Sequence, residues 1–217
     1  MATVKKRIRR TPEEAKAFIL NAAKERLQDA GPEGLQVKEV AGVAGVAHST
    51  VLHHFGSAEG LRSALIESMA ARLLEDILAI YKTRKDQVTE NTILMNVFET
   101  LSDGGHARLL AWMMLKGNLP KDEGGRMRKL FDRLVEEIAA FVVSESDDDS
   151  EEGWKVARQR ARYTVMLAAL TAVGDGIAGD FLKEQLGLSE EDAKTGFRDW
   201  FANLLIMPMA EQMKGGC

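Results

Sequence analysis

The chain has 217 residues, 45% hydrophobic and 29% charged, the balance of a soluble globular protein rather than a disordered one. The uncharged apolar stretches Tyr163–Gly174 and Phe201–Ala210 fall short of the roughly 18 apolar residues a membrane span needs. No apolar run follows the N-terminal basic residues, which excludes a secretory signal, and the lone Cys217 excludes an internal disulfide, so a cytoplasmic protein without a membrane partner is expected.

The net charge of −4 is unevenly spread. Residues 1–62 hold ten Lys/Arg against seven Asp/Glu, and the remainder nineteen against twenty-six. A basic end on an acidic body suits a DNA reader joined to a separate regulatory domain. Pro is scarce and β-branched residues come singly, so the fold class is all-α.

In chain order, Lys5, Lys6, Arg7, Arg9 and Arg10 form a basic arm. Thr11-Pro12-Glu13-Glu14 then starts a helix: Thr11 caps, Pro12 gives up no hydrogen bond in the first turn, and Glu14 closes a capping box. Phe18, Ile19, Ala22, Ala23 and Leu27 recur at helical spacing until Gly31-Pro32 stops the pattern. Short helices follow at about 37–44 and up to His54, and Ser57 caps a long helix to about Tyr81. Further amphipathic helices are predicted near 89–102, 105–117, 123–144, 152–174 and 190–212, with a weaker one near 179–187. The acidic stretch 144–152 (SESDDDSEE) reads as a loop.

The segment Val37–Phe55, VKEVAGVAGVAHSTVLHHF, carries the function. Two short helices crossing steeply need a small residue at their contact and a Gly at the reversal, which Ala41 and Gly45 supply. Val40, Ala44, Val46 and Val51 give the inner faces. His48, Ser49, Thr50, His53 and His54 are left on the outside of the second helix, where they can reach base edges and phosphates in a major groove. The stretch Ile19–Leu61 resembles the DNA-binding domain of the tetracycline-repressor (TetR) family without a gap. Ala44-Gly45-Val46 matches its turn, and Thr50, His54 and Phe55 match its recognition helix and hinge. Ser57, Glu59 and Leu61 match the opening of its fourth helix.

The resemblance implies an N-terminal helix-turn-helix domain over 1–57 with its basic arm, and a helical regulatory domain over 58–217 for ligand binding and dimerisation. It further implies a homodimer on a palindromic double-stranded operator, a fourth helix joining the domains, and a small apolar or amphipathic effector that releases a repressor from DNA. No enzymatic activity, cofactor or metal is expected. The chain departs from the family pattern at four phosphate-contacting or phosphate-positioning places. Gln36 and Ala47 stand where a hydroxyl residue is usual, Leu52 where Tyr is usual, and Ala58 where Lys is usual. These four, with the neighbouring Val37, complete the expected DNA-binding set.

Other clusters invite competing readings. The spacings of His48, His53 and His54 do not put a metal-ligating pair on one helical face, and Asp147–Asp149 lacks the Gly that a calcium loop needs at its sixth position, where Glu152 stands. Phe98, Leu101, Leu109, Trp112, Met113, Met127, Phe131 and Met166 are candidate pocket residues, and the same pattern fits ordinary core. His106 is either a ligand anchor or the first residue of a helix. Ala157, Ala161, Ala168 and Ala172 could face the stripe of Ala193, Phe197, Trp200, Phe201, Leu204 and Leu205, either inside one chain or across a two-fold axis. An enzyme or ligand carrier on a helical scaffold is the alternative function, though no nucleophile with a partnering base is apparent.

Overall fold

The computed structural model describes residues 11–82, 90–117, 125–146, 148–189 and 192–211; the basic arm, Asp147 and Cys217 lie outside them. The described residues are helical, with no strand among them. The chain divides into two compact units, Met1–Ser68 and Met69–Cys217.

The first unit holds α1 (Pro12–Ala30), α2 (Val37–Ala44), α3 (His48–Phe55) and the start of α4 (Ala58–Lys82). The expected capping box is present: the Glu14 amide donates to the Thr11 hydroxyl at 3.2 Å, and Glu14 Oε2 accepts from the Thr11 amide at 2.8 Å. Gly45 closes α2 in the left-handed conformation (φ 62°), and the Val46 amide returns to the Ala41 carbonyl at 3.0 Å. A side chain at that φ would be strained, which is why the turn needs Gly. Ser57 caps α4, its hydroxyl accepting from the Gly60 amide at 3.0 Å. Ile19, Ala22, Ala23, Leu27, Leu35, Val40, Ala41, Ala44, Val51, Leu61 and Leu65 form the buried interior.

The second unit continues with the rest of α4, then α5 (Glu90–Phe98), α6 (His106–Leu115), α7 (Arg126–Ser146), α8 (Glu151–Gly174), α9 (Asp180–Gln185) and α10 (Phe197–Glu211). The division between the units falls inside α4, eleven residues beyond the sequence-based boundary at 57. Five-residue π-helical segments follow α5 (Glu99–Asp103), follow α8 (Asp175–Gly179) and precede α10 (Asp192–Gly196). Such insertions frequently accompany functional or strained packing.

α8 lies along α7 and turns Ala157, Ala161 and Ala172 into the chain's own core. The small-residue stripe is therefore internal packing, and the opposite face of α8 is the open one. Phe98 packs edge-on to both Phe197 and Phe201, which places the inner side of the α10 aromatic stripe in the same core. Among the described residues one helical run, Glu151–Gln185, is long and apolar enough to cross a membrane by length and composition, with a mean hydropathy of 1.5 over its most apolar 18 residues. Asp175 and Asp180 interrupt it, so a search for uncharged stretches passes over it.

Candidate nucleic-acid interface and internal cavity

The outer face of α3 is built from its inner one. Val51 is fully buried and fixes the roll of the helix against the interior of the first unit. That roll leaves His48, Ser49 and His53 exposed and Thr50, Leu52 and His54 half-buried. The His53 and His54 rings meet edge to face, with centroids 5.4 Å apart. No Lys or Arg occurs in α3, so its polar outer groups are hydroxyls and imidazoles.

The four departures take definite places. Gln36 and Ala47 are the N-cap residues of α2 and α3, both exposed, and neither supplies a side-chain cap. A hydroxyl residue at those positions is thus a helix cap in its own right as well as a phosphate partner. Ala58 is the first residue of α4 and half-buried. Val37 is buried in the first turn of α2: its side chain belongs to the core, because the inward face of that short helix begins there.

The second unit contains an apolar cavity of about 270 Å³. Its walls come from α4 (Leu73, Leu74, Ile77), α5 (Ile93, Leu94, Val97), α7 (Phe131, Leu134, Ile138, Phe141), α8 (Val165, Ala168, Ala169) and α10 (Ala202, Leu205), with single residues from neighbouring segments. Of the nine residues expected to contact a ligand, Leu101 and Phe131 line it. Phe98, Leu109 and Met113 are fully buried outside the lining, and Met127 packs on the core without reaching it. Trp112 is half-buried under Lys116, whose ammonium sits 5.7 Å from the ring centre. His106 is the buried first residue of α6, beside Gly104, and does not line the cavity. Met166 is exposed on the far side of α8 from Val165, Ala168 and Ala169. Aromatic and Met residues attract attention in a sequence, whereas this cavity exists where walls carry Ala.

A polar cluster that sequence reasoning missed closes one side of these elements. The side chain of Asp175 is 3% exposed and accepts from Ser102 Oγ at 2.8 Å, Lys183 Nζ at 2.8 Å and Arg198 at 2.9 Å. Arg198 also grips Asp103 through two bonds of 2.9 and 2.7 Å, and its guanidinium lies 4.9 Å from the Phe98 ring centre. Burial works to raise the Asp175 carboxyl, but hydrogen bonds from Lys183, Ser102 and Arg198 overcome it and hold the group below the usual carboxylate range. The hydrogen bond from Arg198 holds Asp103 down likewise, and Arg198 is itself pushed up, chiefly by Asp103. Gly176 lets the backbones meet: a Cβ there would lie 2.7 Å from that of Ala107 and 2.8 Å from Ser102 Cα. The sequence signal was available, a single acid ending the apolar run of α8.

A buried-faced α3 after a left-handed Gly turn, with a polar outer face, defines a helix-turn-helix DNA-binding module. Residues 19–65 match the family model described as bacterial regulatory proteins, tetR family. A curated relative, the HTH-type transcriptional regulatory protein RaaS of Mycobacterium tuberculosis, is 27% identical over 179 residues, 82% of this chain and 75% of its own length. A solved TetR transcriptional regulator from Legionella pneumophila aligns over 91% of this chain and 98% of its own, with a TM-score of 0.48 and 21% identity. Residues 19–65 thus carry a tetR-family DNA-binding domain, and the chain is similar over most of its length to a helix-turn-helix transcriptional regulatory protein.

Proposed function

We propose that the protein is a homodimeric, non-enzymatic cytoplasmic repressor that binds a palindromic operator and leaves it when a small apolar or amphipathic molecule occupies the second unit. The observation that carries the DNA half is the face of α3, where Val51 is turned in while His48, Ser49 and His53 are turned out. In this reading Ser49, Thr50, His53 and His54 meet base edges and phosphates, and the basic arm of Lys5, Lys6, Arg7, Arg9 and Arg10 lies along a groove. The dimer half is supported by the open faces of α8 and α10. Tyr163, Met166, Leu167 and Leu170 follow one another at helical spacing and are 58%, 56%, 46% and 62% exposed; Trp200 and Leu204 are exposed at 60% and 45%. A face of this kind marks a protein contact more often than free surface.

Selection from a random duplex pool tests the proposal. An enriched inverted repeat, protected as one footprint and bound more weakly by Thr50→Ala with unchanged folding, is the expected outcome. Equal loss on operator and random DNA in that variant would make Thr50 a backbone contact. A pool that returns no enriched sequence would overturn the operator reading.

A further inference from the structure

We propose that the cavity of the second unit is selective for an uncharged hydrophobic molecule of about ten or eleven carbon atoms. Its release of DNA rests on the function proposed above, but its binding to the protein does not. Twenty residues line the cavity, and Thr164 alone among them carries a polar side-chain group. An ionised ligand entering such walls would lose its hydration and gain no counter-charge, the costliest arrangement a site can impose. The charges of the adjoining polar cluster, Asp175, Lys183, Arg198 and Asp103, are already paired with one another.

Size follows from volume. A protein cavity of about 150 Å³ lined by Leu, Ile and Phe stays dry and takes up benzene. In proportion, about 270 Å³ accommodates close to eleven carbons, the size of a fused bicyclic ring or a small terpene. The space exists because Ala70, Ala168, Ala169 and Ala202 stand at wall positions where a longer apolar side chain would fill it. Thr164 lies within α8, where a hydroxyl commonly bonds back to the carbonyl four residues earlier. It leaves room for one weak polar anchor, such as a ligand hydroxyl, and none for a charge.

Calorimetry on the full chain with four probes of similar size tests this: naphthalene, 1-naphthol, 1-naphthoate and 1-naphthylmethylammonium. The two neutral probes should bind at one site per chain, and the two ions at least about a hundredfold more weakly. Ala168→Leu and Ala202→Leu should each weaken the neutral probes tenfold or more while the helical circular dichroism and melting cooperativity persist. Should one of them fail to fold, the other carries the test, and Thr164→Val should leave naphthalene unchanged while weakening 1-naphthol. Ions that bind as tightly as neutrals, or neutral binding that survives both Leu variants, would overturn the assignment. Fluorescence anisotropy of an operator duplex separates the readings. Neutral binding without release from DNA would remove the effector role and leave the site standing. Absence of DNA binding would remove the function proposed above and leave the calorimetric result intact.

Discussion

Replacing Asp175 by Asn keeps the shape of the buried cluster and removes its central charge. Asp175 holds Lys183 and Arg198 at 2.8 and 2.9 Å, with side-chain exposures of 3%, 15% and 12% for the three residues. Stripping one partner from a buried ion pair costs about 3–5 kcal/mol. Arg198 retains two bonds to Asp103, and the Lys183 ammonium has some access to water, so a cost just under that range, about 2–3 kcal/mol, is expected. For a unit of this size each kcal/mol moves the melting temperature by about 2–4 °C, giving a fall of roughly 4–12 °C at neutral pH. The acid limb gives a second readout. Both carboxyls sit below their ordinary value of 3.8 when folded, so their contribution is complete above about pH 4 and is lost as the pH falls through the folded values. Asp175→Asn should therefore flatten the loss of stability below pH 4. Thermal melts of wild type, Asp175→Asn, Arg198→Met and the double variant between pH 3 and 8 form the cycle. A melting temperature within 2 °C of wild type together with an unchanged acid limb would refute the argument that this cluster holds the second unit together.

The empty cap positions predict a gain: Gln36→Thr and Ala47→Ser should each stabilise the first unit by about 1 kcal/mol, read as a higher melting temperature, and no rise in either would show that these N-termini are satisfied otherwise. Leu52→Tyr with Ala58→Lys should tighten binding to operator and random DNA alike and steepen the salt dependence by about one, because a donor and a cation are added. Loss confined to the operator, seen by anisotropy at several salt concentrations, would make Leu52 a direct reader. Leu170→Glu should leave the monomer fold intact and abolish the dimer in light scattering, since the residue is 62% exposed on the open face of α8; an unchanged dimer would move the interface elsewhere.

The first unit was legible because its determinants are local. A Thr-Pro-Glu-Glu start, an Ala at a helix crossing and a Gly at a reversal act over five residues or fewer, and each sits where its chemistry requires. The second unit was legible as helices but not as faces. Ala157, Ala161 and Ala172 have the spacing of a contact seam; whether the partner is the chain's own helices or another chain depends on neighbours far away in sequence, and the three are buried in the chain's own core. The cavity was hidden for a related reason. Its space comes from the absence of side chains at Ala70, Ala168, Ala169 and Ala202, and no pattern of large residues reports an absence. Asp175, by contrast, broke an apolar run and signalled a buried partner that only the fold could identify as Arg198.

The cluster and the cavity share walls, which bears on how an occupant could act at a distance. Leu101 directly precedes Ser102, Val173 lies two residues before Asp175, and Ala202 follows Arg198 by about one helical turn. An occupant that presses outward meets ion-paired walls on that side; α4 (Leu73, Leu74, Ile77) and α7 line the cavity without joining the cluster, and of these two helices α4 is the one that begins in the first unit. Under the proposed function, release from DNA would act through α4: a molecule bound equally well in both geometries shifts nothing, and a hundredfold loss of operator affinity needs about 2.8 kcal/mol of difference. That is close to the 2–3 kcal/mol argued for the charge of Asp175, so the cluster is strong enough to direct the strain. Asp175→Asn softens the opposing wall and gives the occupant somewhere else to expand. The variant should therefore bind naphthalene at least as tightly as wild type in calorimetry, yet release operator DNA less completely in anisotropy at saturating ligand. Release as complete as in wild type, with binding unchanged, would mean that the cluster supports the fold and plays no part in directing the response.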